Sequence, residues 1–174
     1  MFSEQPLSIT PQYQGRRIRV ESHQVTLPDG LVAQRDVVVH PAAVVVVPFL
    51  DAETVVLIRQ YRTAAQRALL EIPAGCIEEG EDASVAANRE LQEETGYFAT
   101  HLTPLAGGFP SPGFCTEWMH FFRADGLVRR PLKGDDDEWI SMVPMSMTAA
   151  LSAIQTGEIC DLKTMVGLYQ CHMM

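Results

Sequence analysis

The chain has 174 residues, enough for one domain with a real core. Lys and Arg number 13 against 22 Asp and Glu, a formal charge of −9, which excludes a generic nucleic-acid binder because the phosphate backbone rewards clustered cations. Hydrophobic residues at 47% and charged residues at 20% exclude disorder, collagen and a coiled coil.

The first residues lack a basic stretch followed by an apolar core, so no signal peptide is expected. Alternation over 17–27 and 31–40, with Pro28-Asp29-Gly30 between, predicts a β-hairpin. The Val-rich run 43–50 reads as a buried central strand. Even the longer apolar stretch 41–50 is too short to span a bilayer. Strands are expected at 54–60 and 69–72, the second halted by Pro73. Residues 83–95 hold no Gly or Pro and are rich in helix formers. Asp82 suits the N-cap of that helix and Gly96 the position just past its end. Strands follow at 101–109 and 118–124, then at 139–143, and helices at 148–155 and 162–172. The sum is α+β, with a mixed sheet. Cys76, Cys115, Cys160 and Cys171 form no metal-finger spacing, which suits reduced thiols in a cytoplasmic protein.

The chemistry concentrates in 75–97. On a helix, Glu90, Glu93 and Glu94 fall within one arc of roughly 100°. Ala83, Ala86 and Ala87 lie on the same face one and two turns earlier, as if packed on a sheet. Three like charges beside a core, at the negative end of a helix dipole, call for countercharge. Hard oxygen donors suit Mg²⁺ or Mn²⁺. The plain alternative is a solvated acidic helix end with an Arg89–Glu93 pair.

Gly75, Glu81, Arg89, Glu90, Glu93, Glu94 and Gly96 resemble, position for position, the Nudix box G-x5-E-x7-R-E-U-x-E-E-x-G-U, with Leu91 and Tyr97 at the bulky positions. The resemblance to Nudix hydrolases implies an α/β/α sandwich and a metal-dependent hydrolase of nucleoside diphosphates linked to a moiety X. It implies that Glu90, Glu93 and Glu94 ligate metal with the backbone carbonyl of Ala74. Arg89 would brace the carboxylates, and Glu81 would pair with Arg89 or hold metal through water.

The stretches Arg59-Gln60-Tyr61-Arg62, 70–75 running into the box, and Ser111-Pro112-Gly113-Phe114 are similar to the ADP-ribose pyrophosphatase branch. Relatives acting on other nucleotide derivatives share them. Arg59 and Arg62 suit phosphate clamps, or strand-end salt bridges. Glu71 suits adenine or ribose, or is an edge-strand acid. Pro112 and Gly113 belong to a loop expected to position substrate, and Glu117 is a further oxygen donor or a solvated acid. In similar enzymes an acidic loop near 135–138 supplies the general base; Glu138 is the first candidate and Asp137 the second. The alternative is a solvated charge run. Trp118 and Trp139 are expected in the core or an interface, and Met142, Met145 and Met147 as core filler.

The resemblance therefore implies hydrolysis of ADP-ribose to AMP and ribose 5-phosphate. Another X (a GDP-sugar, NADH, FAD or a dinucleoside polyphosphate) and a non-hydrolytic nucleotide-binding module are the alternatives. One domain, 1–174, is expected, with 1–40 as the dimerisation region of a homodimer and 41–174 as the catalytic core. No nucleic acid or membrane partner is expected.

Overall fold

The structure, a computed structural model, describes residues 3–134 and 138–174. Its residues fall into two compact units, one running up to Ala42 and joined by Phe109–Trp118, the other comprising Ala43–Gly108 and Met119–Met174.

The first unit is an antiparallel meander of β1 (Gln5–Gln14), β2 (Arg19–Thr26) and β3 (Val32–Val39). The expected hairpin is β2–β3. Its turn closes with the Leu31 N–H on the Asp29 carboxylate at 3.1 Å, and Gly30 takes φ 86°. Strand β1 was not anticipated. Pro6 and Pro11 interrupt its alternation, and the register shifts beside each of them. Proline belongs at sheet edges because it lacks a ladder donor, and β1 is an edge. The 109–118 segment is tied to β3 by Val38 N–H to Phe114 O at 2.7 Å and Thr116 N–H to Val38 O at 3.0 Å.

The second unit is built on β4 (Ala43–Pro48), every residue of which is buried. Parallel pairing with β9 (Met119–Arg129) and antiparallel pairing with β7 (Ala74–Cys76) put it inside a mixed sheet of order β7-β4-β9-β8, where β8 is Tyr97–Pro104. A second sheet has the order β10 (Ile140–Ser146), β5 (Thr54–Arg62), β6 (Arg67–Glu71). Side chains alternate across a strand, so β4 faces two cores. Val44 and Val46 meet Ala86, Ala87 and Leu91 of α1 (Ala83–Thr95). Val45 and Val47 share the opposite core with Ala150 and Ala153 of α2 (Met147–Gln155) and Leu168 and Cys171 of α3 (Leu162–His172). This is the expected α/β/α layering.

Helix α1 matches its expected bounds. Asp82 accepts from the Ser84 N–H at 2.8 Å, and Gly96, at φ 71°, ends the helix. That left-handed residue turns the chain straight into β8, so the strand starts at Tyr97 rather than at 101. Strand β9 runs past 124 to Arg129, because Gly126 adopts φ 65° beside Thr100 and lets the ladder continue. Trp139 is not core: it is 88% exposed, and Met142 is exposed as well. Met145 and Met147 do pack on the α2–α3 core. Among the described residues no helix is long and apolar enough to cross a membrane.

Helix α3 approaches the sheet through Gly167. A Cβ there would sit 2.6 Å from Ile72 Cδ1 and 3.0 Å from Val47 Cγ2. Gly→Ala in a helix interior normally gains about 0.8–1 kcal/mol of propensity, but overpacking costs about 1–3 kcal/mol. Gly167→Ala is therefore expected to lower the urea unfolding midpoint. A midpoint at or above that of the unmodified protein would show that the α3 contact yields.

Candidate metal and diphosphate site

The acidic face of α1 lies beside β7, and Gly75 makes that approach possible. A Cβ on Gly75 would stand 2.1 Å from the Glu90 carboxyl carbon. The glycine is therefore required by a close approach.

Arg89 uses all five of its N–H donors. Nε and Nη2 each give a 2.9 Å bond to Glu81, and Nη1 bonds Glu90 at 2.6 Å and Glu93 at 3.1 Å. The remaining Nη2 hydrogen reaches the Cys76 carbonyl at 3.0 Å. The planar fork suits this joint grip on several carboxylates. Contact with Arg89 holds the Glu81 carboxyl below its ordinary range, and the same contacts raise Arg89 itself. The expected bracing by Arg89 and its pairing with Glu81 are thus both present, and so is the Arg89–Glu93 pair.

One guanidinium does not neutralise the cluster. Burial pushes the Glu90 carboxyl above its ordinary value in spite of Arg89. Glu94 is pushed well above it, first by burial and then by the charge of Glu90, with Glu138 adding to the effect. A single backbone donor, the Ala74 N–H at 3.1 Å from Oε2, opposes that shift along with the charge of Arg62. Among the described residues no three acidic, His or Cys side chains converge on one point as a finished metal cage, since Arg89 draws Glu90 and Glu93 toward itself. The donor chemistry nevertheless fits a hard divalent cation: oxygen ligands, partly buried, with more negative charge than the cations around them offset. Glu90, Glu93 and Glu94 are the residues that would hold it.

Beside this cluster lies an ion-pair network. Glu71, at the end of β6, is 1% exposed and receives both Nε and Nη2 of Arg62 at 2.8 Å. Lys163 of α3 also binds Glu71, and it binds Asp161 at 2.9 Å. Burial raises the Glu71 carboxyl, but the two cations outweigh it and the net shift is downward, so the group stays ionised. Asp161 caps α3 through the Thr164 N–H at 3.0 Å, and the Thr164 hydroxyl accepts from the Ile72 N–H at 2.9 Å. Arg62 lies within the electrostatic reach of Glu94 and Glu138. Arg59 stands apart from this network and, among the described residues, reaches the exposed Glu158 at 3.4 Å.

Pro112, Gly113 and Glu117 belong to the first unit. Pro112 and Gly113 are exposed, and Glu117 lies 3.7 Å from His40. Glu138 is exposed, and its charge is felt at Glu90, Glu94 and Arg62. Asp137 lies outside the described residues.

Sequence reasoning missed three residues here. Lys163 reaches Glu71 from 92 positions away in the chain, and Asp161 backs it only through Lys163 itself, with no local signal for either. Asn88 holds α1 to the edge strand β8: its Oδ1 accepts from the Ala99 N–H at 2.8 Å and its Nδ2 donates to the Ala99 carbonyl at 3.3 Å. Only a polar residue on the packed half of a helix hinted at that clamp.

A sequence model of the NUDIX domain matches residues 39–158. The chain is 36% identical over 154 residues to an ADP-ribose pyrophosphatase of Bacillus subtilis, covering 87% of this chain and 83% of that protein. It is 34% identical over 170 residues to a methanol dehydrogenase activator of Bacillus methanolicus, covering 97% and 92%. A GDP-mannose pyrophosphatase of Citrobacter koseri is 37% identical over 131 residues, covering 70% and 68%. Among solved structures, an ADP compounds hydrolase superposes with a TM-score of 0.88 at 25% identity, covering 98% of this chain and 92% of that one.

The raised Glu94 carboxyl carries a stability prediction for the metal-free protein. A folded pKa above the unfolded value means that this group's contribution is fully present below the unfolded pKa and is lost as pH rises through the folded one. Glu94→Gln removes that loss. Its melting temperature is expected to exceed that of the unmodified protein at pH 8 in EDTA, with the gap closing toward pH 4. A gap that is constant with pH would show that Glu94 carries no such strain.

Proposed function

The chain belongs to the NUDIX domain family, and on that footing we propose that it hydrolyses the diphosphate of ADP-ribose to AMP and ribose 5-phosphate, with Mg²⁺ or Mn²⁺ as cofactor. The observation that carries this reading is the under-neutralised carboxylate cluster of α1, closed onto Gly75 and gripped by Arg89. An intact cluster of this kind favours catalysis over a purely binding role.

A bound divalent cation supplies Lewis acidity and positive charge against the diphosphate. Glu90, Glu93 and Glu94, with the Ala74 carbonyl, are its ligands in this reading. Arg89 orients Glu90 and Glu93, and Glu81 holds Arg89 from the far side. Glu138, exposed and electrostatically in touch with Glu90 and Glu94, takes the proton of the attacking water; Asp137 is the second candidate for that role. Arg62 offers its guanidinium to a phosphoryl oxygen while Lys163 keeps Glu71 paired. Arg59, Glu71, Pro112, Gly113 and Glu117 complete the substrate-binding set.

A second reading, a GDP-sugar as substrate, is favoured by the likeness to GDP-mannose pyrophosphatases. A panel of ADP-ribose, GDP-mannose, NADH, FAD and dinucleoside polyphosphates with Mg²⁺ or Mn²⁺, scored by product chromatography in ¹⁸O water, separates the two and locates the attacked phosphorus. ADP-ribose is expected to give the highest kcat/KM. Glu138→Ala is expected to lower kcat by roughly 10²–10⁴-fold while the Mg²⁺ dependence stays put. Wild-type turnover in that variant, with loss in Asp137→Ala, would move the base by one residue.

The residues up to 40 serve as the dimerisation region of a homodimer, and 41–174 form the catalytic core of a single domain. Strand β1 supports this, since it is exposed along its whole length and presents Leu7, Ile9 and Tyr13, each more than half exposed. The four cysteines, outside any disulfide among the described residues, fit a cytoplasmic location. Sedimentation velocity is expected to give a dimer that Ile9→Lys weakens; a monomer at micromolar concentration would refute the assignment.

A further inference from the structure

The helix position between Leu91 and Glu93 is held by Gln92, which is 7% exposed. Packing alone would be served there by an apolar residue. The side chain instead donates from Nε2 to the Arg130 carbonyl at 2.6 Å. The backbone repeats the contact: Arg130 N–H reaches Gly96 O at 2.9 Å, and Leu132 N–H reaches Gln92 O at 3.4 Å. Arg129 adds Nη1 to the Thr95 carbonyl at 2.9 Å. At the far end of this strap, a Cβ on Gly134 would lie 3.4 Å from the Glu93 carbonyl oxygen. The 129–134 strap is thus laid along the turns of α1 that carry Glu93 and Glu94.

Gly134 precedes Glu138 by four residues, a reach of at most about 14 Å. Whatever fixes the strap limits where Glu138 stands relative to the α1 carboxylates. Among the described residues, the buried side chain that anchors the strap to α1 is the Gln92 amide. We propose that Gln92 is a positioning residue for the hydrolytic reaction: it pins the strap to α1 and so sets the separation between the base at Glu138 and the metal-binding carboxylates. This rests on the reading of Glu138 as base. Gln92 touches neither water nor substrate; it acts through the strap.

A double-mutant cycle tests it. Gln92→Met keeps the length and burial and removes the donor. With ADP-ribose and saturating Mg²⁺ it is expected to lower kcat on the order of tenfold, with KM and the Mg²⁺ half-saturation within about twofold. In a Glu138→Ala background the same substitution is expected to change kcat by less than about twofold, because the group that it positions is gone. One glycine inserted after Gly134 slackens the strap without touching the helix and is expected to reproduce the kcat loss; it replaces Gln92→Met if that variant fails to fold. A readout independent of turnover is the fluorescence anisotropy of Trp139, the residue after Glu138, in a Trp118→Phe background, which is expected to fall in Gln92→Met and in the insertion variant.

Equal kcat losses in both backgrounds, or an unmoved anisotropy, would overturn the role of Gln92 while leaving the hydrolase reading intact. Wild-type protein inactive on every diphosphate would instead overturn the hydrolase reading, and the proposal with it. Full activity in Glu138→Ala would overturn the base assignment together with the proposal.

Discussion

A buried-edge guanidinium gathering carboxylates is the constraint around which the catalytic unit is arranged. Arg89 meets Glu81, Glu90, Glu93 and the Cys76 carbonyl with its five donors. It thereby joins the segment before α1, the helix itself and strand β7. Without it the acids would repel one another at a helix C-terminus whose dipole already disfavours them. With it they remain under-neutralised, and a bound cation is the natural complement. Gly75 follows from the same constraint, because Glu90 occupies the space that any larger residue would need.

The scaffold delivers that cluster through β4. Four successive valines have their side chains alternately in the α1 core and in the α2–α3 core. Each buried valine contributes about 1.5–3 kcal/mol of transfer free energy, an upper bound on what the folded state gains. Burial on both faces leaves β4 one register, and the register fixes Gly75 opposite Val44. The position of the acids thus depends on apolar packing that has no chemistry of its own.

The sequence made the local parts of this legible. Helix α1 and its caps, the double-sided β4, and the spacing of Glu81, Arg89, Glu90, Glu93 and Glu94 are all short-range patterns. Strand β1 was obscured by its two prolines, and the end of β9 by Gly126, whose left-handed φ was invisible in the letters. Lys163, Asp161, Asn88 and Gln92 were illegible for a different reason. Each acts through a partner far along the chain or through a backbone atom, and neither leaves a spacing to read. Glu71 and Arg62 were picked out singly, but their bidentate pairing depends on the β5–β6 register.

The prolines of β1 carry a consequence for assembly. A ten-residue strand exposed on a sheet edge is an open template for further strands, and an uninterrupted one invites fibre growth. Pro6 and Pro11 remove two donors from that edge, and the register shifts beside them break its straightness. An edge interrupted in this way resists indefinite strand addition. A chain carrying both prolines replaced by threonine would keep its hydrolytic machinery and lose its guard against polymerisation.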